Sequence, residues 1–262
     1  MPTKRPADTL PQRKIARYGW RPDLPDRRDL LFSSITPYSK LPMLVDQRPQ
    51  MPPVYDQGAL GSCTANAIGG AVQFGHRKQN LADFVPSRLF IYYNERVMEG
   101  TVGFDAGAMI RDGMKSVAKL GAPPEADWPY VISQFTRQPP ARAYTDASKT
   151  KAVVYSRVAQ SLSQIKGCLA QGYPFVFGFT VYESFESDAV ASTGIMPMPK
   201  PTEEILGGHA VMAVGYDESR RMMIVRNSWG AEWGDKGYFY MPYEYITNPG
   251  VASDFWTIRV LT

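Results

Sequence analysis

A chain of 262 residues, 44% hydrophobic and 12% aromatic, can bury a core as one large domain or as two lobes sharing a cleft, and 21% charged residues does not describe a disordered body. Two cysteines allow at most one bridge, which argues against a disulfide-stapled secreted scaffold, and no run of about 18 apolar residues offers a membrane span. The formal charge of +4 sits on the N-terminal arm, where residues 1–30 hold eight Lys or Arg against four Asp, so the body lacks the basic face of a nucleic-acid binder.

Residues 1–45 read as an arm, because seven prolines from Pro2 to Pro42 leave no room for long helices or central strands. Residues 1–15 are expected to be a solvated tail. No apolar stretch of about 7–15 residues marks a signal peptide in residues 1–30, which makes the cytoplasm the default address. Tyr18, Trp20, Leu30, Leu31 and Phe32 break the polarity of the arm, and aromatics of that size gain most by docking. Residues 18–35 are therefore expected as an extended strap pinned to the body.

Three helices follow. Ser62 caps the first, Cys63–Arg77, in which Ala67, Ala71 and Phe74 recur at helical spacing. A second spans Ser87–Met98 with Gly100 beyond it. A third runs from about Ala108 to Leu120, stopped by Gly121 and the Pro123-Pro124 pair. After Pro139-Pro140 the pattern changes to short apolar runs between turn residues: Val153–Val158, Phe175–Val181, His209–Tyr216, Met222–Asn227, Gly237–Met241 and Phe255–Val260, with one short helix from Ser161 to Gln171. Helices first and strands second predict an α+β protein, with the arm over 1–45 and a domain over 46–262. Its helical lobe covers about 55–140 and its antiparallel, barrel-like lobe about 150–262.

The chemistry gathers at a few of these junctions. In Gln57-Gly58-Ala59-Leu60-Gly61-Ser62-Cys63, two glycines bend the chain before a helix whose first turn carries the thiol. Free N–H groups and the helix dipole at such a position lower a thiol pKa from about 8.5 toward roughly 3.5–7.5. The Gln57 amide lies across the turn, placed to donate toward an oxygen near the sulfur. Of two histidines, His76 falls at the far end of the Cys63 helix, roughly 20 Å away, and reads as a partner for the helix dipole. His209, after Gly207-Gly208, remains as the base. Asn227 at a strand end can orient the imidazole, and Trp229 can shield that hydrogen bond. Cys168, beside Leu169, reads as core, as does Trp233. Neither metal-ligand spacing nor a phosphate-cradling loop is present.

These residues resemble the papain-like cysteine peptidases. The resemblance rests on Gln57 six residues before Cys63, on Gly61-Ser62-Cys63, on Gly207-Gly208-His209, and on Asn227-Ser228-Trp229-Gly230 continuing through Trp233-Gly234 to Phe239. Trp128-Pro129-Tyr130 and Gln171-Gly172-Tyr173-Pro174 add to it. It covers roughly residues 44–262. It implies a two-lobe fold with the cleft between a helical and a barrel-like lobe, and hydrolysis of a peptide or protein substrate through a Cys63 thiolate and His209 imidazolium without a cofactor. It also implies an oxyanion site made by Gln57 and the Cys63 N–H. Substrate-backbone contacts are expected at Gly107, with Asp105 nearby, and at Gly208 and Trp229. Thr64 stands where the family usually has Trp, and Leu60 where secreted members have a disulfide cysteine. The arm is shorter than the family's propeptides, and it is expected to act as an intramolecular cover near the cleft. An acyl or amide transferase with the same triad, or a non-catalytic binding protein on this scaffold, are the alternatives.

Overall fold

Small side chains decide where the first helix lies. In α1 (Cys63–Lys78) the run Ala65, Ala67, Gly69, Gly70 and Ala71 lets neighbours approach from every side, so the helix is buried almost all round and passes through the centre of the protein. The computed structural model describes residues 17–262, and the tail expected over 1–15 lies outside the described residues. Ser62 does not cap α1 with its side chain; its hydroxyl instead lies 2.5 Å from the Tyr130 hydroxyl. α2 (Arg88–Glu99) is capped by Ser87, whose Oγ accepts from the Phe90 N–H at 3.2 Å, and ends at left-handed Gly100. α3 (Ile110–Lys119) stops before Gly121, whose φ of +85° turns the chain against the Ala147 carbonyl. A short α4 (Ala141–Ala147), absent from the sequence reading, closes the helical part.

Among the described residues eight strands form one sheet. Two belong to the arm: β1 (Leu31–Phe32) pairs parallel with β3 (Ala152–Val158), and β2 (Leu44–Asp46) pairs antiparallel with the far end of β5. After β3 come the helix α5 (Leu162–Ala170) and the strands β4 (Phe175–Tyr182), β5 (Ile205–Asp217), β6 (Met222–Arg226), β7 (Tyr238–Pro242) and β8 (Ala252–Leu261). The order β1-β3-β8-β4-β5-β6-β7 makes an open, mixed sheet, and with the helices it gives the α+β fold expected. Alternation along β4 and β5 divides the core. Val176, Ala210, Met212 and Val214 face the α1 side, while Phe175, Phe177, Phe179, Val211 and Ala213 build an aromatic layer on the other face. Among the described residues no helix is long and apolar enough to cross a membrane.

The arm is an extended strap laid between these parts. Trp20 bridges Ala108 ahead of α3, and Asp29 pairs with Arg111 at 2.5 Å and with Arg157 at 3.2 Å. The Asp29–Arg111 pair is almost wholly out of water, 9% and 5% exposed, so it anchors the strap through two charges that neither can abandon cheaply.

Candidate active site

Cys63 opens α1, with its side chain fully buried. The preceding turn is fixed from both sides. Gly61 N–H donates to Asp105 Oδ2 at 3.0 Å, and Gln57 is zipped to the loop after β6 by its own N–H to the Ser228 carbonyl at 2.9 Å. Ser228 Oγ donates to Gln57 Oε1 at 2.7 Å, and Gln57 Nε2 donates to the Leu60 carbonyl at 2.9 Å. One hydrogen of the Gln57 amide is thereby held in the turn, and the second remains for another acceptor.

His209 lies on β5 opposite Phe179, and Asn227 follows the last residue of β6. The Ser228 N–H can only donate, and it meets Asn227 Oδ1 at 2.8 Å, which fixes that atom as the oxygen. His209 Nε2–H therefore donates to the same oxygen at 2.8 Å, and Nδ1 is left as the basic nitrogen, buried and without a partner. Trp229 stacks on the imidazole with ring centroids 5.1 Å apart and covers this hydrogen bond. Trp233 packs behind Trp229 as expected of a core aromatic.

Between these groups runs the strap. Gly19 is the residue over the thiol, and its N–H, with those of Ala210 and Thr64, favours the thiolate. Burial outweighs them and pushes the Cys63 thiol up to about 12, so the lowered pKa expected from the helix terminus does not hold beneath the strap. Burial likewise pulls His209 down to about 4 against the opposing hydrogen bond from Asn227. Both groups are neutral at neutral pH. The contact is too close for a side chain at either backbone: a Cβ on Gly19 would lie 1.7 Å from the Gly61 carbonyl oxygen, and one on Gly107 2.1 Å from that of Gly19. Tyr18 sets its ring edge-on to His209 at 5.8 Å. Trp20 N–H donates to the Gly208 carbonyl at 2.9 Å.

The strap also shows which backbone groups of the cleft pair with an extended chain. Ala108, one residue beyond Gly107, both donates to the Gly19 carbonyl at 2.7 Å and accepts from Arg21 N–H at 3.0 Å, while the Gly107 N–H points to Tyr92 Oη. Asp105 is turned inward to Gly61 and Tyr92, and its carbonyl accepts from Arg17. Gly208 meets the strap through its carbonyl, and Trp229 lies 6.4 Å from the Tyr18 ring. Three residues near the site escaped the sequence reading. Glu95 accepts from Thr64 Oγ1 at 2.8 Å, and burial raises its carboxyl well above the usual range. Ser228 ties Gln57 to Asn227, and Asp254 meets the Trp20 indole. Nothing in local spacing marks Glu95 or Asp254; only adjacency to Asn227 pointed to Ser228. His76 is buried against Phe84 and its pKa is lowered, mainly by desolvation, so it is a neutral core imidazole and not a charged partner for the helix dipole. Cys168 is fully buried.

The sequence profile described as papain family cysteine protease matches residues 41–257. An uncharacterized peptidase C1-like protein of Acanthamoeba polyphaga mimivirus is 43% identical over 94% of this chain and 87% of its own length. The crystal structure of xylellain, a cysteine protease from Xylella fastidiosa, is 44% identical, with a TM-score of 0.87 over 96% of this chain and 99% of that one. Cathepsin K of Gallus gallus is 28% identical over 82% of this chain, which spans 63% of the cathepsin's length.

Proposed function

Because the chain belongs to the papain family of cysteine proteases, and so hydrolyses peptide bonds, we propose that Cys63 is its nucleophile, His209 the general base and Asn227 the group that orients that base. We propose further that Tyr18-Gly19-Trp20 is an intramolecular cover that holds this site latent. The first reading is carried by His209, whose Nε2–H is committed to Asn227 and whose Nδ1 is the free basic atom. The second is carried by Gly19, whose N–H faces the Cys63 sulfur where a scissile carbonyl has to sit.

With the strap displaced, water reaches the cleft and the desolvation that keeps both groups neutral falls away. The N-terminus of α1 then favours the thiolate and His209 takes the proton. Cys63 attacks the scissile carbonyl, and the charge that develops on its oxygen is met by the Cys63 N–H and the second hydrogen of the Gln57 amide, each worth about 2.7–4 kcal/mol. His209 protonates the leaving amine, then activates the water that hydrolyses the acyl-enzyme. The Asn227 carbonyl oxygen keeps Nδ1 aimed at the thiol throughout, and stacked Trp229 keeps water from competing for it.

Hydrolysis of a panel of fluorogenic dipeptidyl amides under reducing conditions tests the assignment. Made in the Trp20→Ala chain, whose cover is loosened, Cys63→Ala and His209→Ala should each reduce the rate to background with the fold intact by circular dichroism. Turnover that survived in Cys63→Ala would remove the thiol from the mechanism.

A further inference from the structure

The strap shows more than that the cleft is covered, because one of its side chains fills a pocket whose walls can be read. The Trp20 indole lies against the face of the β4–β5 pair, 9% exposed, where Gly178 and Gly208 meet it. A Cβ on Gly178 would lie 1.9 Å from Trp20 Cε2, and one on Gly208 2.6 Å from Trp20 Cε3. These two glycines stand opposite residues with side chains on the neighbouring strand positions, Ala210 and Thr180. Their bare backbones open a slot with the width of a fused ring, and any side chain at either position would close it.

The end of the slot is polar. Trp20 Nε1–H donates to Asp254 Oδ2 at 3.1 Å, and the same oxygen accepts from the Asp23 N–H at 2.8 Å. The other oxygen faces Arg157 at 3.4 Å. Asp254 is 2% exposed and has a φ of +62°. A non-glycine residue in that conformation is uncommon, though Asp and Asn are the side chains that tolerate it best. When the strap leaves, Oδ2 loses the indole donor and, with residue 23, the amide donor as well. A buried carboxylate oxygen without a donor is costly, and whatever fills the slot next gains by supplying one.

Resting on the reading of this cleft as the substrate site, we infer that Asp254, Gly178 and Gly208 form a specificity pocket selecting peptides with a large flat side chain that ends in an N–H donor, tryptophan above all, at the position Trp20 now holds. The strap occupies the cleft with the side chain the pocket is built for. Size is set by the two glycines, and the choice between an N–H-bearing ring and an apolar ring of equal size is set by Asp254. A hydrogen bond to a charged acceptor in a desolvated slot changes affinity by about 10- to 150-fold, so the preference is large enough to measure.

The test uses the full chain carrying Trp20→Ala, which empties the slot and keeps the Asp29 anchor. Dipeptidyl coumarin amides bearing Trp or 1-methyltryptophan at each of the two acyl-side positions isolate the N–H at constant ring size. At one position Trp should exceed 1-methyltryptophan at least tenfold in kcat/KM. Asp254→Gly, which suits the positive φ and removes the carboxylate, should bring that ratio below about threefold, and Asp254→Asn, which keeps an acceptor oxygen, should restore part of it. A second readout needs no turnover: indole should raise the Tm of Trp20→Ala and 1-methylindole should not. Equal rates for the two rings in an enzyme that cleaves both would overturn the pocket assignment and leave the cleft reading standing. Indole binding that depends on Asp254, together with no cleavage of any peptide, would place the slot outside the substrate site and overturn the inference with the reading beneath it.

Discussion

Asn227 acts through a single oxygen, which accepts from both His209 Nε2–H and Ser228 N–H at 2.8 Å. Asn227→Ala frees the imidazole to rotate, and a misplacement of about 1 Å costs roughly 100-fold in rate. The expected outcome is a fall of that size in kcat with KM little changed, measured on the dipeptidyl amides in the Trp20→Ala background. At this scale the sequence marks a candidate wherever a residue is set apart by its immediate neighbours. Cys63 after two glycines, His209 after Gly207-Gly208 and Asn227 before Trp229 all declare themselves locally. Ala108 and Asp254 did not, because their roles arise only when an extended chain is laid against them. The raised pKa of Cys63 was equally hidden: the dipole argument reads one helix end, whereas burial depends on Gly19, 44 positions earlier in the chain.

The ends of elements follow from turn chemistry, and one of them gives a stability test. Gly121 holds φ +85° after α3, and a Cβ there would lie 1.8 Å from the Ala147 carbonyl oxygen, so Gly121→Ala should destabilise the fold by about 1–3 kcal/mol, read as a lowered Tm. Ser62 misled the reading of α1 because a serine before a helix reads as a cap until a tyrosine from elsewhere in the fold, Tyr130, claims the hydroxyl. The strap as an element is held by charge. Removing Arg111 strands Asp29 in a buried site beside Arg157 alone, a loss of about 3–5 kcal/mol. Arg111→Ala should therefore lower hydrogen-exchange protection of the Gly19 and Trp20 amides by about two to four orders of magnitude. Asp23 adds a pH dependence. Burial, with Asp254 opposite, raises its carboxyl to about 6, so the docked strap favours the protonated form. That contribution is complete below the ordinary value near 3.8 and is lost as pH rises through about 6. Exchange at the Trp20 amide, corrected for its intrinsic rate, should show weaker docking at pH 7.5 than at pH 5, and Asp23→Asn should abolish the step.

For the whole molecule, the order of helices before strands was enough to predict an α+β fold, because each segment's period survives in the folded chain. How far the sheet extends was not: whether a strand edge is covered depends on distant segments, and here residues 194–196 bridge to Tyr240 on the outer edge of β7. The arm's aromatics foretold docking without foretelling where. What the assembled molecule adds is the packing of the strap over Cys63, which is as buried as Cys168, and on this the proposed latent state rests. Alkylation by iodoacetamide at neutral pH, followed residue by residue with mass spectrometry, tests this most directly, with Cys168 as the internal reference in the intact chain and in Trp20→Ala. Cys63 should react slowly in the intact chain and at least tenfold faster in Trp20→Ala, with Cys168 unchanged in both. Equal Cys63 rates in the two proteins would mean that the strap does not control the nucleophile, and the account of a covered active site would be wrong.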